Sequence, residues 1–271
     1  MSTEILYAAA FFIALLISAA ATPLCRVIAV KLNILDNPIS EVKTHKKSAP
    51  YLGGAAIAAG WLASLFIIRF ATSFPDGTLR SLRGIIYGSL ITLLLGFIDD
   101  KKYKGLGFKS KFLIQIAAAA IVVFGFDIRI NFIPIYWLSC AVSVFWIVGV
   151  TNAFNIIDIM DGLSSGIAFI AALAFLFISL PTEMIYVNFC AAALGGALLG
   201  FIPFNLSKSK KIFMGDTGSL FIGFILASLA MGTSFTAISE IGLFAPLLIL
   251  AVPLYETFFV SAVRIGNGKS P

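Results

Sequence analysis

Charge is scarce in this sequence. Asp, Glu, Lys and Arg make up only 12% of its 271 residues, about half the share usual in soluble domains. Histidine occurs once, at His45, and cysteine three times, at Cys25, Cys140 and Cys190. The cysteines are far apart and lie in or beside apolar runs. They form neither a disulfide framework nor a zinc-ligand spacing, and they read as small buried hydrophobes. A basic leader is also missing. The chain opens Met-Ser-Thr-Glu, so the apolar stretch 5–21 reads as a retained first span and not as a cleaved secretory signal. No repeat, linker or low-complexity tract divides the sequence, which predicts one domain.

What is abundant is apolar surface. Hydrophobic residues reach 60% and the mean hydropathy is +1.02. These values exclude an ordinary soluble domain, a disordered chain and a nucleic-acid-binding module. The apolar runs are continuous, not alternating, which excludes a membrane β-barrel. A helix needs roughly 20 residues to cross a bilayer. The sequence predicts an all-α integral membrane protein with nine spans, at 5–25, 52–70, 84–98, 110–126, 135–152, 163–180, 184–202, 218–233 and 242–263. Pro181 separates the sixth and seventh, which are expected to form a tight hairpin.

The net charge of +6 is first a topology signal. Five Lys/Arg fall in 26–51, five in 99–111, three in 203–217 and two in 264–271, all on one predicted side, whereas the other side carries four. Positive loops stay in the cytoplasm, so the N-terminus is expected outside and the C-terminus inside. Seven acids (Asp36, Glu41, Asp99, Asp100, Asp158, Asp161 and Asp216) collect on that same cytoplasmic face, and only Glu256 lies inside a span. A charged face is usually a solvated rim, but adjacent acids at span ends in three separate loops suggest a site.

Asp99-Asp100 abuts the apolar helix end Gly96-Phe97-Ile98. Two neighbouring carboxylates repel unless a cation or proton is shared. Oxygen ligands of this kind suit Mg²⁺, which keeps several waters and bridges phosphates. The lysines that follow, up to Lys111, offer point charges to phosphates or hold the loop inside. In a second stretch, Asn152, Asn155, Asp158 and Asp161 recur at every third position before Gly162. On a helix this makes one slowly drifting polar stripe, suited to ribose hydroxyls and base edges; a helix end with Asx turns is the structural alternative. The third stretch, Phe213-Met214-Gly215-Asp216-Thr217-Gly218-Ser219, opens a span. Asp216 and Thr217 suit helix capping, and Asp216 is also placed to bind the metal that a phosphate at a helix start requires. A fourth stretch combines Asp36-Asn37-Pro38 with basic Lys43, His45, Lys46 and Lys47, then Pro50-Tyr51-Leu52-Gly53-Gly54.

In this order the motifs resemble those of the polyprenyl-phosphate N-acetylhexosamine-1-phosphate transferases, the WecA/TagO- and MraY-like integral membrane enzymes of glycosyltransferase family 4. Lys111-Phe112-x-x-Gln115 matches as well, and the fourth stretch looks more WecA/TagO-like. The resemblance runs from about residue 30 to the end. It implies transfer of a sugar 1-phosphate, N-acetylhexosamine 1-phosphate, from a UDP-sugar to a polyprenyl (undecaprenyl) phosphate, with release of UMP, as a first step of cell-envelope glycan synthesis. It implies Mg²⁺, with Mn²⁺ as a substitute, and a multi-pass protein of a bacterial inner membrane with a cytoplasmic active face. Homodimerisation is left open.

By the same resemblance Asp99 is the base that deprotonates or orients the lipid phosphate, supported by Asp100. Asp216, with Asp99 and Asp100, would bind the metal. Asn152, Asn155, Asp158, Asp161 and Gly162 would form the nucleotide pocket, and Lys111, Lys43 and His45 would meet the phosphates. WecA-like members continue after a Gly-Lys-Ser-Pro segment into a His-rich loop and further spans, which this sequence lacks after Pro271. Two other readings stay open: a polytopic transporter, whose acids would sit near the midplane, and a truncated, non-catalytic homologue that binds lipid.

Overall fold

The computed structural model describes residues 3–36, 49–72, 74, 77–102, 105–182, 184–232 and 244–268. They form an α-helical bundle. Its helices are α1 (Thr3–Lys31), α2 (Gly53–Ala71), α3 (Thr78–Lys101), α4 (Phe108–Ala120), α5 (Tyr136–Ile156), α6 (Leu163–Ser179), α7 (Ile185–Asn205), α8 (Gly215–Gly232), α9 (Ala245–Ile249) and α10 (Ala251–Gly266). A π-helical stretch, Ile121–Gly125, prolongs α4. Two short antiparallel strands, β1 (Leu35–Asp36) and β2 (Ala49–Pro50), pair Leu35 with Pro50 and Asp36 with Ala49.

Seven helices among the described residues are long and apolar enough to cross a membrane: α1, α2, α3, the prolonged α4, α5, α7 and α8. Two of the nine expected spans differ. Helix α6 is apolar but has only 17 residues. The expected span 242–263 is broken at Leu250 into α9 and α10. Pro253 explains the break: its ring collides with the carbonyl four residues back, at Ile249, where α9 stops. Glu256 lies one turn beyond that proline on α10, which packs against α5.

Helices α7 and α8 are the axis of the molecule. About four fifths of their most apolar stretches are buried, against about a third for α1. Lipid gives apolar helices no reason to associate, so close backbone approach at small residues holds them together. A Cβ on Gly196 of α7 would lie 2.0 Å from the Phe11 carbonyl oxygen of α1, and one on Gly200 would lie 2.4 Å from that of Leu15. The bulk between them comes from rings: Trp61 meets Phe221 edge-on, with centroids 5.5 Å apart, and its indole N–H donates to the Cys190 carbonyl.

Helices α1 to α8 alternate in direction. The C-terminal ends of α3, α5 and α7 therefore meet the N-terminal ends of α2, α4, α6 and α8 at one end of the bundle. The polar motifs occupy that end.

Candidate active site

The first residues of α8 are clamped from outside. Asp100, at the end of α3, accepts the Asp216 amide with Oδ1 and the Thr217 amide with Oδ2, both at 2.9 Å. Oδ2 also accepts the Thr217 hydroxyl at 2.6 Å. A helix leaves its first amides unpaired, and here the cap comes from a residue 116 positions upstream. Gly215 makes this fit: its φ is +73°, and a Cβ there would stand 2.5 Å from Asp100 Oδ2. Gly96 does the same for the helix pair, because a Cβ on it would lie 2.3 Å from the Asp216 carbonyl oxygen. On the other side, Gly53 and Gly54 donate their amides to the Phe213 and Met214 carbonyls. The start of α2 thereby lies against Gly218.

Asp99 and Asp216 face one another across the Lys111 ammonium. Lys111 Nζ is 3.0 Å from Asp99 Oδ2 and 2.5 Å from Asp216 Oδ2, and all three side chains are largely buried. Asp99 Oδ1 accepts the Leu106 amide, and Asp216 Oδ1 accepts the Asn155 side-chain amide at 2.8 Å. Asn155 also donates to the Ser219 hydroxyl. Each of the two carboxyls is thus oriented by one neutral donor, and they are joined by a direct side-chain hydrogen bond as well as by one cation.

The polar stripe is helical only in part. Helix α5 ends at Ile156, so Asn152 and Asn155 share a helical face, whereas Asp158 and Asp161 sit in the turn 157–162. Asn152 lies one turn deeper than Asn155 and exchanges hydrogen bonds with Gln115, tying α5 to α4. No described residue hydrogen-bonds or pairs with Asp158. Burial pushes its carboxyl well above the usual carboxylate range, and the charges of Asp216, Asp100 and Asp161 push it further.

Asp161 has a cation, and it comes from outside its own loop. Lys211 reaches it from the segment before α8, with Nζ 2.5 Å from Oδ2. The same ammonium stands 5.4 Å over the Phe213 ring. Gly162, at φ +74°, donates its amide to the Asn205 side chain, which in turn donates to the Ile212 carbonyl.

Lys43 and His45 lie outside the described residues. All the other candidate residues gather at this one end, although Asn152 and Gly162 spend their polar groups on neighbouring helices. Lys211 escaped sequence reasoning because it sits between α7 and α8 in a segment with no periodic pattern, and Asn205 because it is a single amide at the end of the apolar helix α7. Tyr51 was visible only as part of a turn. Its hydroxyl hydrogen-bonds Asp36 and it lies within the field of Asp100 and Asp216; burial raises the phenol's pKa, and Asp36 adds to this.

The glycosyl transferase family 4 model matches residues 82–234. A protein of Bacillus subtilis (strain 168), a probable undecaprenyl-phosphate N-acetylglucosaminyl 1-phosphate transferase, is 33% identical over 97% of this chain and 72% of its own length. The phospho-N-acetylmuramoyl-pentapeptide-transferase of Limosilactobacillus fermentum is 35% identical over 69% of this chain and 61% of its own. That of Listeria monocytogenes serotype 4b is 33% identical over 82% and 73%. The matched stretch holds the Asp99-Asp100 clamp, the Lys111 bridge and the start of α8, and on this agreement of motif, geometry and relatives the chain belongs to glycosyl transferase family 4.

Proposed function

We propose that this protein transfers N-acetylhexosamine 1-phosphate from a UDP-sugar to undecaprenyl phosphate and releases UMP. The observation that carries the reading is the meeting of Asp99, Asp100, Asp158 and Asp216 with Lys111 at one end of a membrane bundle. The acid-rich end is also the end with most of the basic loops, so it faces the cytoplasm, where nucleotide sugars are available. In this reading α6 and the α9–α10 pair complete nine passages, with the N-terminus outside. The Bacillus subtilis relative, aligned along nearly the whole chain, favours N-acetylglucosamine as the sugar.

An oxygen of the lipid phosphate attacks the β-phosphorus of the UDP-sugar. The bond from that phosphorus to the bridging oxygen of the pyrophosphate breaks, and UMP leaves with the bridging oxygen. Asp99 orients the attacking oxygen of the lipid phosphate. Asp100 holds the start of α8, fixing Asp216 relative to Asp99. Asn155 holds Asp216 in its rotamer. Asp158 and Asp161 line the nucleotide side, and Lys111 offers its charge to phosphate oxygens.

The donor set fits Mg²⁺ or Mn²⁺. No group of three acidic, histidine or cysteine side chains among the described residues is arranged to hold a metal ion. Mg²⁺ needs no such cage, since it is bound by one or two carboxylates, waters and substrate phosphates. Asp99 and Asp216, already bridged by a cationic ammonium, would hold it, and when bound it neutralises the pyrophosphate as charge moves to UMP.

The test is UMP release by the purified protein in lipid nanodiscs. Release is expected only when UDP-N-acetylglucosamine, undecaprenyl phosphate and Mg²⁺ are all present. A folded protein that releases no UMP from any UDP-N-acetylhexosamine under these conditions would overturn the reading.

A further inference from the structure

Lys111 belongs to the first turn of α4, a helix that brings no acid to this end. Its ammonium nevertheless lies between Asp99 and Asp216, at 3.0 and 2.5 Å, and is itself largely buried. Both positions suit a cation shared by two carboxylates. The two acids come from segments 117 residues apart in sequence, and each has an anchor besides the lysine: the Leu106 amide for Asp99, the Asn155 amide for Asp216, and a direct side-chain hydrogen bond between the two carboxyls. The carboxylates therefore keep their places without the lysine. The lysine does not keep its place without them, since its long stem has only these two ionic partners among the described residues.

A divalent ion bound by Asp99 and Asp216 would compete for the same two oxygens, Oδ2 of each. An ammonium and a divalent cation cannot share that gap, because like charges at about 3 Å in a site shielded from water repel strongly. We propose that Lys111 is an exchangeable counter-ion: it neutralises the pair when no divalent ion is bound, is expelled when one enters, and then carries its charge to the substrate phosphate. This rests on the metal-dependent reading above and adds an order of events to it. The side chain that binds phosphate becomes free only once the metal is in place, so a nucleotide sugar arriving before the ion meets a lysine already engaged.

Two measurements on the full chain without substrates test this. In the first, Mn²⁺ alone is titrated into wild type, Lys111→Gln and Lys111→Arg, and followed by electron paramagnetic resonance and thermal unfolding. Removing the competing ammonium should tighten Mn²⁺ binding about tenfold or more. Lys111→Gln should also unfold earlier than wild type without metal and gain more on adding it, while Lys111→Arg should resemble wild type. Equal or weaker binding in Lys111→Gln would overturn the exchange and leave the metal site standing. No Mn²⁺ binding to wild type would remove the metal reading itself.

The second measurement needs no variant. Reductive methylation of wild-type Lys111, read by peptide mass, should be slow without metal and several-fold faster with saturating Mn²⁺. A rate that does not rise with Mn²⁺ binding would overturn the proposal.

Discussion

The two ends of the bundle solve the same problem, polar groups at the edge of an apolar body, in opposite ways. At the far end, between α4 and α5, Arg129 pairs with Asp127 at 2.8 Å, stacks over Tyr136 and donates to the Ser139 hydroxyl. Every partner lies within ten residues of Arg129 in sequence. Asp127 is exposed there and the ion pair is open to solvent. At the near end five carboxylates meet two lysines, and the partners come from α3, α4, α5 and the start of α8. Local, matched charges close a loop; distant, unmatched charges are costly unless something else uses them.

This contrast predicts a steep ranking of variants. Asp216→Asn should have the largest effect, lowering UMP release about a thousandfold through loss of metal and phosphate neutralisation. Its unfolding temperature should fall only modestly, because Asn keeps the bond from Asn155 but loses the ion pair with Lys111. A comparable loss from a far-end variant would break the comparison.

Asp158→Asn should lower turnover about a hundredfold and yet raise stability. The folded-state pKa of Asp158 lies above its unfolded value. Its contribution is therefore present below the unfolded pKa, about 4, and is lost as pH rises toward the folded pKa. The amide has no such loss, so the stability margin of the variant over wild type should widen from about pH 4 upward. Thermal unfolding across pH reads this; a margin that shrinks with pH would show that Asp158 is ionised and well partnered.

Gly96→Ala should reduce activity about tenfold and destabilise the protein by about 1–3 kcal/mol. Its methyl would press on the Asp216 carbonyl and separate α3 from α8. The two losses should appear together, unlike those of Asp158→Asn.

Arg129→Ala should have the smallest effect. An exposed, local ion pair contributes little, so turnover and unfolding temperature should match wild type within error. A clear loss of UMP release would mean that the far end takes part in function.

The helices were legible in the sequence because lipid demands long apolar runs, and such runs survive any ambiguity of packing. The break at Leu250 was foreshadowed by Pro253, but hydropathy alone averaged across it. The acids were legible for a different reason: carboxylates without local cations are costly and stand out. Their partners were not. Lys211 pairs with Asp161 from 50 residues away, and Asp100 caps a helix that begins 115 positions later, distances at which no local pattern operates. The spacing of the stripe from Asn152 to Asp161 fitted either a helical face or a helix end with turns, and the sequence did not decide between them. The chain leaves helix at Ile156, and Gly162, in a left-handed conformation, turns it into α6.

The cap that Asp100 places on α8 has a consequence for biogenesis. Asp99 and Asp100 are synthesised more than a hundred residues before Gly215, and α8 gains its cap only after packing against α3. Until then the acids are exposed at the membrane edge, facing no partner from α8. The acid cluster is thus complete only after the eighth helix has been inserted and docked. On the proposed function, a chain synthesised only as far as α7 would lack Asp216 and could not release UMP, so activity would report on the completion of assembly.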